Sequence, residues 1–269
     1  NNIKLRITQN MGDDEAGIHA EAAKVALISR IQAGGNVGVF ENLLLFVFRE
    51  LGEYDRAFSW LKAKAKSDDF RANEFISIAR DLSEAGNYSL AAEVYDFMIY
   101  SRPRGMQGGW LNQALKEHLE ILAGADQSKA LALVSDFAGN ECGSCFGWEL
   151  AREEYKMRLE GIDSVSVEEY AKIMAQLRLK YPRPLMEGLT YKSYAGVLQV
   201  LGNFDRALIE FARAETLLGD SKEGDQCRLA RAMCAFYDGD IPWAKTQLEV
   251  LLKSTSKEIA NDALENALL

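Results

Sequence analysis

Histidine is nearly absent, with only His19 and His118 in a chain of 269 residues. A catalytic triad or a histidine-rich metal site would have to use one of these, and neither stands near a nucleophile arrangement. His19 lies beside Glu21 on a solvated helix face, whereas His118, in "LKEHLEIL", falls where it would face inward. Cationic excess is missing too: 31 Lys and Arg stand against 40 Asp and Glu, a formal net charge of −9. Phosphate backbones are bound by clustered cations that release counterions, so nucleic acid is not an expected partner. The densest basic run, "KAKAK" at Lys62 to Lys66, suits the negative end of a helix dipole. Long apolar runs are also lacking. "LLLFVF", Leu43 to Phe48, ends in Arg49 and Glu50, far short of the ~18 residues of a membrane span. The glycine-rich "RGMQGGW", Arg104 to Trp110, has no Lys-Ser or Lys-Thr pair, so it reads as a connector and not a phosphate loop.

The 4 cysteines form no dense framework of the kind small secreted domains need. Cys142 and Cys145 stand in "ECGSCFGWEL". A thioredoxin-type motif needs a strand before the first cysteine, but the preceding "QSKALALVSDFAG" has helical period. Zinc would need two further ligands. The remaining thiols, Cys227 and Cys234, are seven residues apart, about 10.5 Å along a helix, too far for a disulfide and awkward for one tetrahedral ion. Cys142 and Cys145 therefore read first as a packed or loop thiol pair, next as a local disulfide, and last as a redox or metal centre. No catalytic residue, metal ligand or cofactor is expected. The paired carboxylates Glu153–Glu154 and Glu168–Glu169 read as solvated helix faces.

Proline is scarce, at 4 residues, and apolar positions recur at helical spacing almost throughout. Within that pattern the glycines keep time. Gly52, Gly86, Gly124, Gly161, Gly202 and Gly239 are separated by 34, 38, 37, 41 and 37 residues. Four of these sites share more: "LGEYDRAFSWL", "AGNYSLAAEVY", "LGNFDRALIEF" and "DGDIPWAKTQL". Each has a large apolar residue two after the glycine, an Ala five after it and an apolar residue nine after it. Glycine can take the left-handed conformation that closes a helix, the small Ala lets a second helix approach the first, and the aromatic is expected to plug the space between hairpins. Seven residues before Gly86, Gly202 and Gly239 stand Ala79, Ala195 and Ala232. Pro103 falls where the second helix of its pair should stop.

This pattern resembles the tetratricopeptide repeat, a helix-turn-helix unit of roughly 34 residues. The likeness holds for Ala72–Pro103, Gly188–Leu218, Asp225–Leu252 and Gly38–Lys66, and weakens between Gly105 and Tyr181, where "GADQSKALALVSDF" slips by a residue and "GIDSVSVEEYAKIM" carries two extra. The resemblance implies an all-α, right-handed superhelical solenoid of about six helix-turn-helix repeats with flanking helices. Residues 1–13 read as an extended or disordered leader and 14–269 as a single solenoid. Within it, 14–35 is a first helix, 38–104 repeats, 105–187 degenerate repeats, 188–253 repeats and 254–269 a capping helix. The closing stretch from Gly239 also resembles the terminal segment of repeat proteins common in Bacteroidota. That ending and the missing initiator Met point to a bacterial protein exported to the periplasm or cell envelope, with the cytoplasm as the alternative.

In tetratricopeptide proteins the concave surface is lined by the first helix of each hairpin. On this register the inward residues are Asn42, Phe46, Arg80, Ser83, His118, Tyr155, Arg158, Lys192, Gln199, Met233 and Tyr237. The family's clamp for C-terminal carboxylates does not transfer, because its places carry Asn42, Phe46, Ile76 and Arg80. The expected function is a non-catalytic scaffold or adaptor subunit of a larger assembly, with another protein or a peptide as partner. A peptide or small-ligand sensor is the alternative, ahead of a thiol redox or metal protein using the C-x-x-C pair.

Overall fold

A computed structural model describes residues 18–34, 37–67, 69–137, 145–254 and 261. The expected leader, Cys142 and nearly all of the expected capping helix lie outside them. Among the described residues there are thirteen helices and no strand. The chain groups into two compact units, residues 1–126 and 127–269. The first holds α1 (Ile18–Ala33), α2 (Val37–Glu50), α3 (Tyr54–Lys66), α4 (Ala72–Glu84), α5 (Tyr88–Ser101) and α6 (Gly108–Ala125). The second holds α7 (Gln127–Asp136), α8 (Phe146–Glu160), α9 (Ser164–Lys180), α10 (Pro184–Val200), α11 (Phe204–Leu218), α12 (Lys222–Asp238) and α13 (Ile241–Ser254). Each unit is a stack of helical hairpins in which sequential helices pack side by side, the arrangement of an α-solenoid.

Four turns share one mechanism. Gly52, Gly86, Gly202 and Gly239 take positive φ of 69°, 77°, 74° and 96°. The residue after each donates its N–H to the carbonyl five residues back: Glu53 to Phe48, Asn87 to Leu82, Asn203 to Leu198 and Asp240 to Ala235, at 2.8–2.9 Å. These bonds satisfy carbonyls that a helix end leaves unpaired. The second helix then lies back on the first through Ala57, Ala91, Ala207 and Ala244, which are buried along with Ala79, Ala195 and Ala232. Leu61, Tyr95, Phe211 and Leu248, nine after each glycine, complete the contact from within the core. The residue two after the glycine divides the set: Phe204 packs against the core of its unit and Tyr54 is half-buried, in keeping with the expected packing, whereas Tyr88 and Ile241 are 51% and 55% exposed and fill no space between hairpins.

Gly124 departs from the set. It sits inside α6 without positive φ, and the helix closes only at Asp126, whose N–H donates to Leu122 at 2.7 Å. α5 stops where proline requires, with Arg102 left-handed at φ 40° just before Pro103. The residue just before α9 caps it: the Asp163 carboxylate accepts from the N–H groups of Val165 and Ser166 at 2.9 and 2.7 Å, and the Asp163 N–H donates to Ser166 Oγ. The reciprocal pairing satisfies both ends of the first turn.

The core of the first unit includes Phe58, Phe75 and Phe97 from α3, α4 and α5, with ring centroids 5.4–6.2 Å apart. In the second unit a continuous cluster runs from Phe146 through Tyr170, Met174, Leu198 and Phe211 to Cys234. Buried charges are paired, as burial demands. Lys24 of α1 reaches Glu21 and Glu53, both at 2.6 Å. Glu41 of α2 is held by Lys64 and Arg71, and Glu149 of α8 accepts from Lys180 at 2.8 Å and from the Tyr181 hydroxyl at 2.7 Å. Glu153 is likewise buried, against Arg152. The solvated face expected for it is therefore incorrect, since it lies on the packed side of α8.

Candidate functional site

The first unit holds an open groove of about 1020 Å³ lined by α4, the start of α5 and one side of α6. α4 contributes Arg80 and Ser83, and α5 contributes Tyr88 and Tyr95. From α6 come residues recurring at three and four, from Gly109 through Asn112, Gln113, Lys116, Glu117 and Glu120 to Gly124, the spacing that gathers side chains on one helix face. Glycine at either end of this stripe keeps the groove open, as no side chain projects there.

Glu117 organises the lining. Arg80 grips its carboxylate with two N–H groups, Nε to Oε2 at 3.0 Å and Nη2 to Oε1 at 2.5 Å. The Tyr95 hydroxyl donates to Oε2 at 2.6 Å and Gln113 Nε2 to Oε1 at 3.0 Å. Burial alone would raise the carboxyl pKa, but the bonds from Arg80, Tyr95 and Gln113 outweigh it, so Glu117 is held below the usual carboxylate range. Burial first, and then the neighbouring Glu117 carboxylate, push the Tyr95 phenol up, so it stays a donor at neutral pH. The two-toothed Arg–carboxylate grip is the directional kind of ion pair, and it fixes the groove wall before anything binds. Lys116 and Glu120 have no ion-pair partner among the described residues, and Tyr88 presents an exposed ring.

Of the eleven inward residues expected from the sequence, Arg80 and Ser83 line this groove. Asn42 is exposed and accepts from Arg71 Nη1 at 3.3 Å, and Phe46 is half-buried. His118 is buried, its Nε2 3.1 Å from Asp96 Oδ1. The reason is register: six residues before Gly86 stands Arg80, and six before Gly124 stands His118, but the α6 turn lies at Asp126. Counted from Asp126, the same place belongs to Glu120. Glu117, Lys116 and Gln113 were thus overlooked, and the one signal for them was that the repeat pattern slips after Gly124, by one residue in the sequence where the turn itself moves by two. In the second unit the Arg158 guanidinium lies 5.6 Å from the Tyr155 ring and Lys192 hydrogen bonds Gln226. Gln199 is half-buried, Met233 is buried, and the exposed Tyr237 stacks on Phe204 at 5.6 Å. None of these six is part of the lining of the first-unit groove.

Cys145 is buried and disulfide-bonded, so the free thiol placed first for it is incorrect. Cys227 and Cys234 are free but buried, and burial pushes both thiols up to about 11, the opposite of an activated nucleophile. Among the described residues no three His, Cys, Asp or Glu side chains group as metal ligands, and no helix is long and apolar enough to cross a membrane.

No protein-family model matches the sequence. A stretch of 73 residues, 27% of the chain, is 34% identical to large ribosomal subunit protein uL29 of Aeropyrum pernix and spans 96% of that protein. The helices extend from Ile18 to Ser254, so this short likeness concerns a segment and not the chain. Among solved structures, a tetratricopeptide repeat protein from Parabacteroides merdae covers 100% of both chains at a TM-score of 0.55 and 13% identity. A thermophilic TPR protein of Thermus thermophilus aligns over 74% of this chain and 100% of its own at a TM-score of 0.55 and 16% identity. With the glycine-closed hairpins and buried alanines already described, these likenesses make the chain a protein of the tetratricopeptide-repeat fold, an α-solenoid of helical repeats.

Proposed function

We propose that this protein is a non-catalytic interaction scaffold, an adaptor within a larger assembly, whose first-unit groove receives an extended segment of a partner protein. The observation that carries this reading is the groove itself: its wall is set by the Arg80–Glu117–Tyr95 bonds while Lys116, Glu120 and Tyr88 remain for a ligand. Size favours a peptide over a small molecule. At about 1020 Å³ the groove lies at the upper edge of the roughly 300–1,000 Å³ usual for small-ligand pockets. The lining runs from Gly109 to Ala125 along α6, about 24 Å at 1.5 Å per residue, the length of about seven residues of extended chain. Tyr88 supplies an aromatic surface of the kind that anchors interfaces, and Lys116 with Glu120 offers a charge pair that sets direction.

The reading is tested by placing a photo-crosslinking amino acid at Tyr88 in cells of the source organism and identifying what it captures. One dominant protein, lost when Lys116→Glu is added, is the expected result. Capture unaffected by Lys116→Glu, or none at all, would overturn the assignment of this groove.

A further inference from the structure

The second unit carries its own concavity, an apolar pocket of about 400 Å³. Leu208, Ile209 and Ala212 of α11 form one wall, and Ala235 of α12 with Trp243 of α13 forms the other. Ile209 is 55% exposed at the rim, while Leu208 and Trp243 are half-buried. Apolar surface gathered in a recess and left open to water marks a contact site more than a scattered exposed residue does.

Charge around the recess is one-sided. The charge of Arg231 is paired through Nη1 with Glu215, its guanidinium lies 5.7 Å from the Trp243 ring, and its buried Nε has no hydrogen-bond partner among the described residues. Asp240 uses Oδ1 to accept from the Trp243 N–H at 3.2 Å, capping α13, which leaves Oδ2. Asp238 is exposed and has no ion-pair partner among the described residues. It is the last residue of α12, where the helix presents its negative end and a carboxylate is repelled. Helix stability therefore does not account for an acid at this position, and the uncommitted charge of the pocket is wholly negative.

We propose that this pocket is a second docking site, separate from the groove of the first unit. Its occupant is a partner-protein segment that seats one apolar side chain between Ile209 and Trp243 and sets a neighbouring Lys or Arg against Asp238 and the open oxygen of Asp240. Charge selects this occupant over a second copy of the chain. A two-fold contact would bring the same acidic rim against itself, in a protein of net charge −9, whereas a basic segment gains from both.

The test titrates the full chain with the peptide acetyl-Gly-Ser-Leu-Arg-Ser-Gly-amide, following the Trp243 indole N–H by NMR. Saturable movement of that signal is expected for the Leu-Arg peptide and not for its Leu-Glu counterpart. Asp238→Asn should weaken binding by up to about fivefold, the upper end for one exposed ion pair, and Ile209→Ser should weaken it similarly. Glu249→Gln removes an exposed charge elsewhere on α13 and should leave affinity unchanged. Equal weakening by Asp238→Asn and Glu249→Gln would show diffuse attraction and overturn the site. So would equal binding of the Leu-Glu peptide, a dimer in sedimentation that Ile209→Ser dissolves, or binding that begins only when residues 255–269 are removed, which would make the chain's own end the occupant.

Discussion

Two glycines of α10 offer a matched test of how closely its neighbour packs. Replacing helical Gly by Ala relieves backbone entropy and favours a helix by about 0.8–1.0 kcal/mol. At Gly196 an added Cβ would meet nothing within 4 Å, so Gly196→Ala should raise stability by about that amount. At Gly188 the same atom would lie 2.8 Å from Leu218 Cγ, 2.9 Å from its Cδ2 and 3.1 Å from Leu217 Cβ, well inside the ~3.5–4.0 Å of a carbon contact. Leu218 is buried and cannot swing clear, so overpacking should cost about 1–3 kcal/mol, cancelling the propensity gain or reversing it. The two variants should therefore differ by about 1–3 kcal/mol, in favour of Gly196→Ala. Urea unfolding followed by circular dichroism measures this as a shift in midpoint at unchanged slope. If Gly188→Ala stabilised as much as Gly196→Ala, the close approach of α10 to the end of α11 would not depend on the missing side chain.

Two further outcomes follow from the titratable groups. The Glu117 carboxyl is depressed in the folded state, so its contribution is present above the unfolded value, about 4.3, and is lost as pH falls through the folded value. Glu117→Gln should thus melt below wild type at neutral pH, with the gap closing in acid below about pH 4; a gap constant from neutral to acid would mean that Glu117 is not held by Arg80 and Tyr95. Cys227 and Cys234, with thiols pushed up by burial to about 11, should resist iodoacetamide in the native protein at mildly alkaline pH and react once urea opens the fold, while Cys145 should be labelled only after reduction. Rapid native labelling of Cys227, read by peptide mass mapping, would contradict its burial.

The hairpins were legible because their determinants are local. A left-handed turn admits glycine where other residues are strained, and an alanine at a helix crossing is small whatever surrounds it, so Gly52, Gly86, Gly202 and Gly239 with their buried alanines could be read from spacing alone. The sequence by itself determined an all-helical repeat and where four of its turns fall. The groove belonged to another level. Glu117 becomes its centre only because Arg80 arrives from α4 and Tyr95 from α5, contacts between residues 22 to 37 apart that no local pattern encodes. A turn delayed from Gly124 to Asp126 rotates the face of α6 and takes His118 into the core while turning Glu120 outward. Each residue advances a helix by about 100°, so which side chains meet in space was decided by tertiary packing, through a shift of two residues that the glycine count did not register.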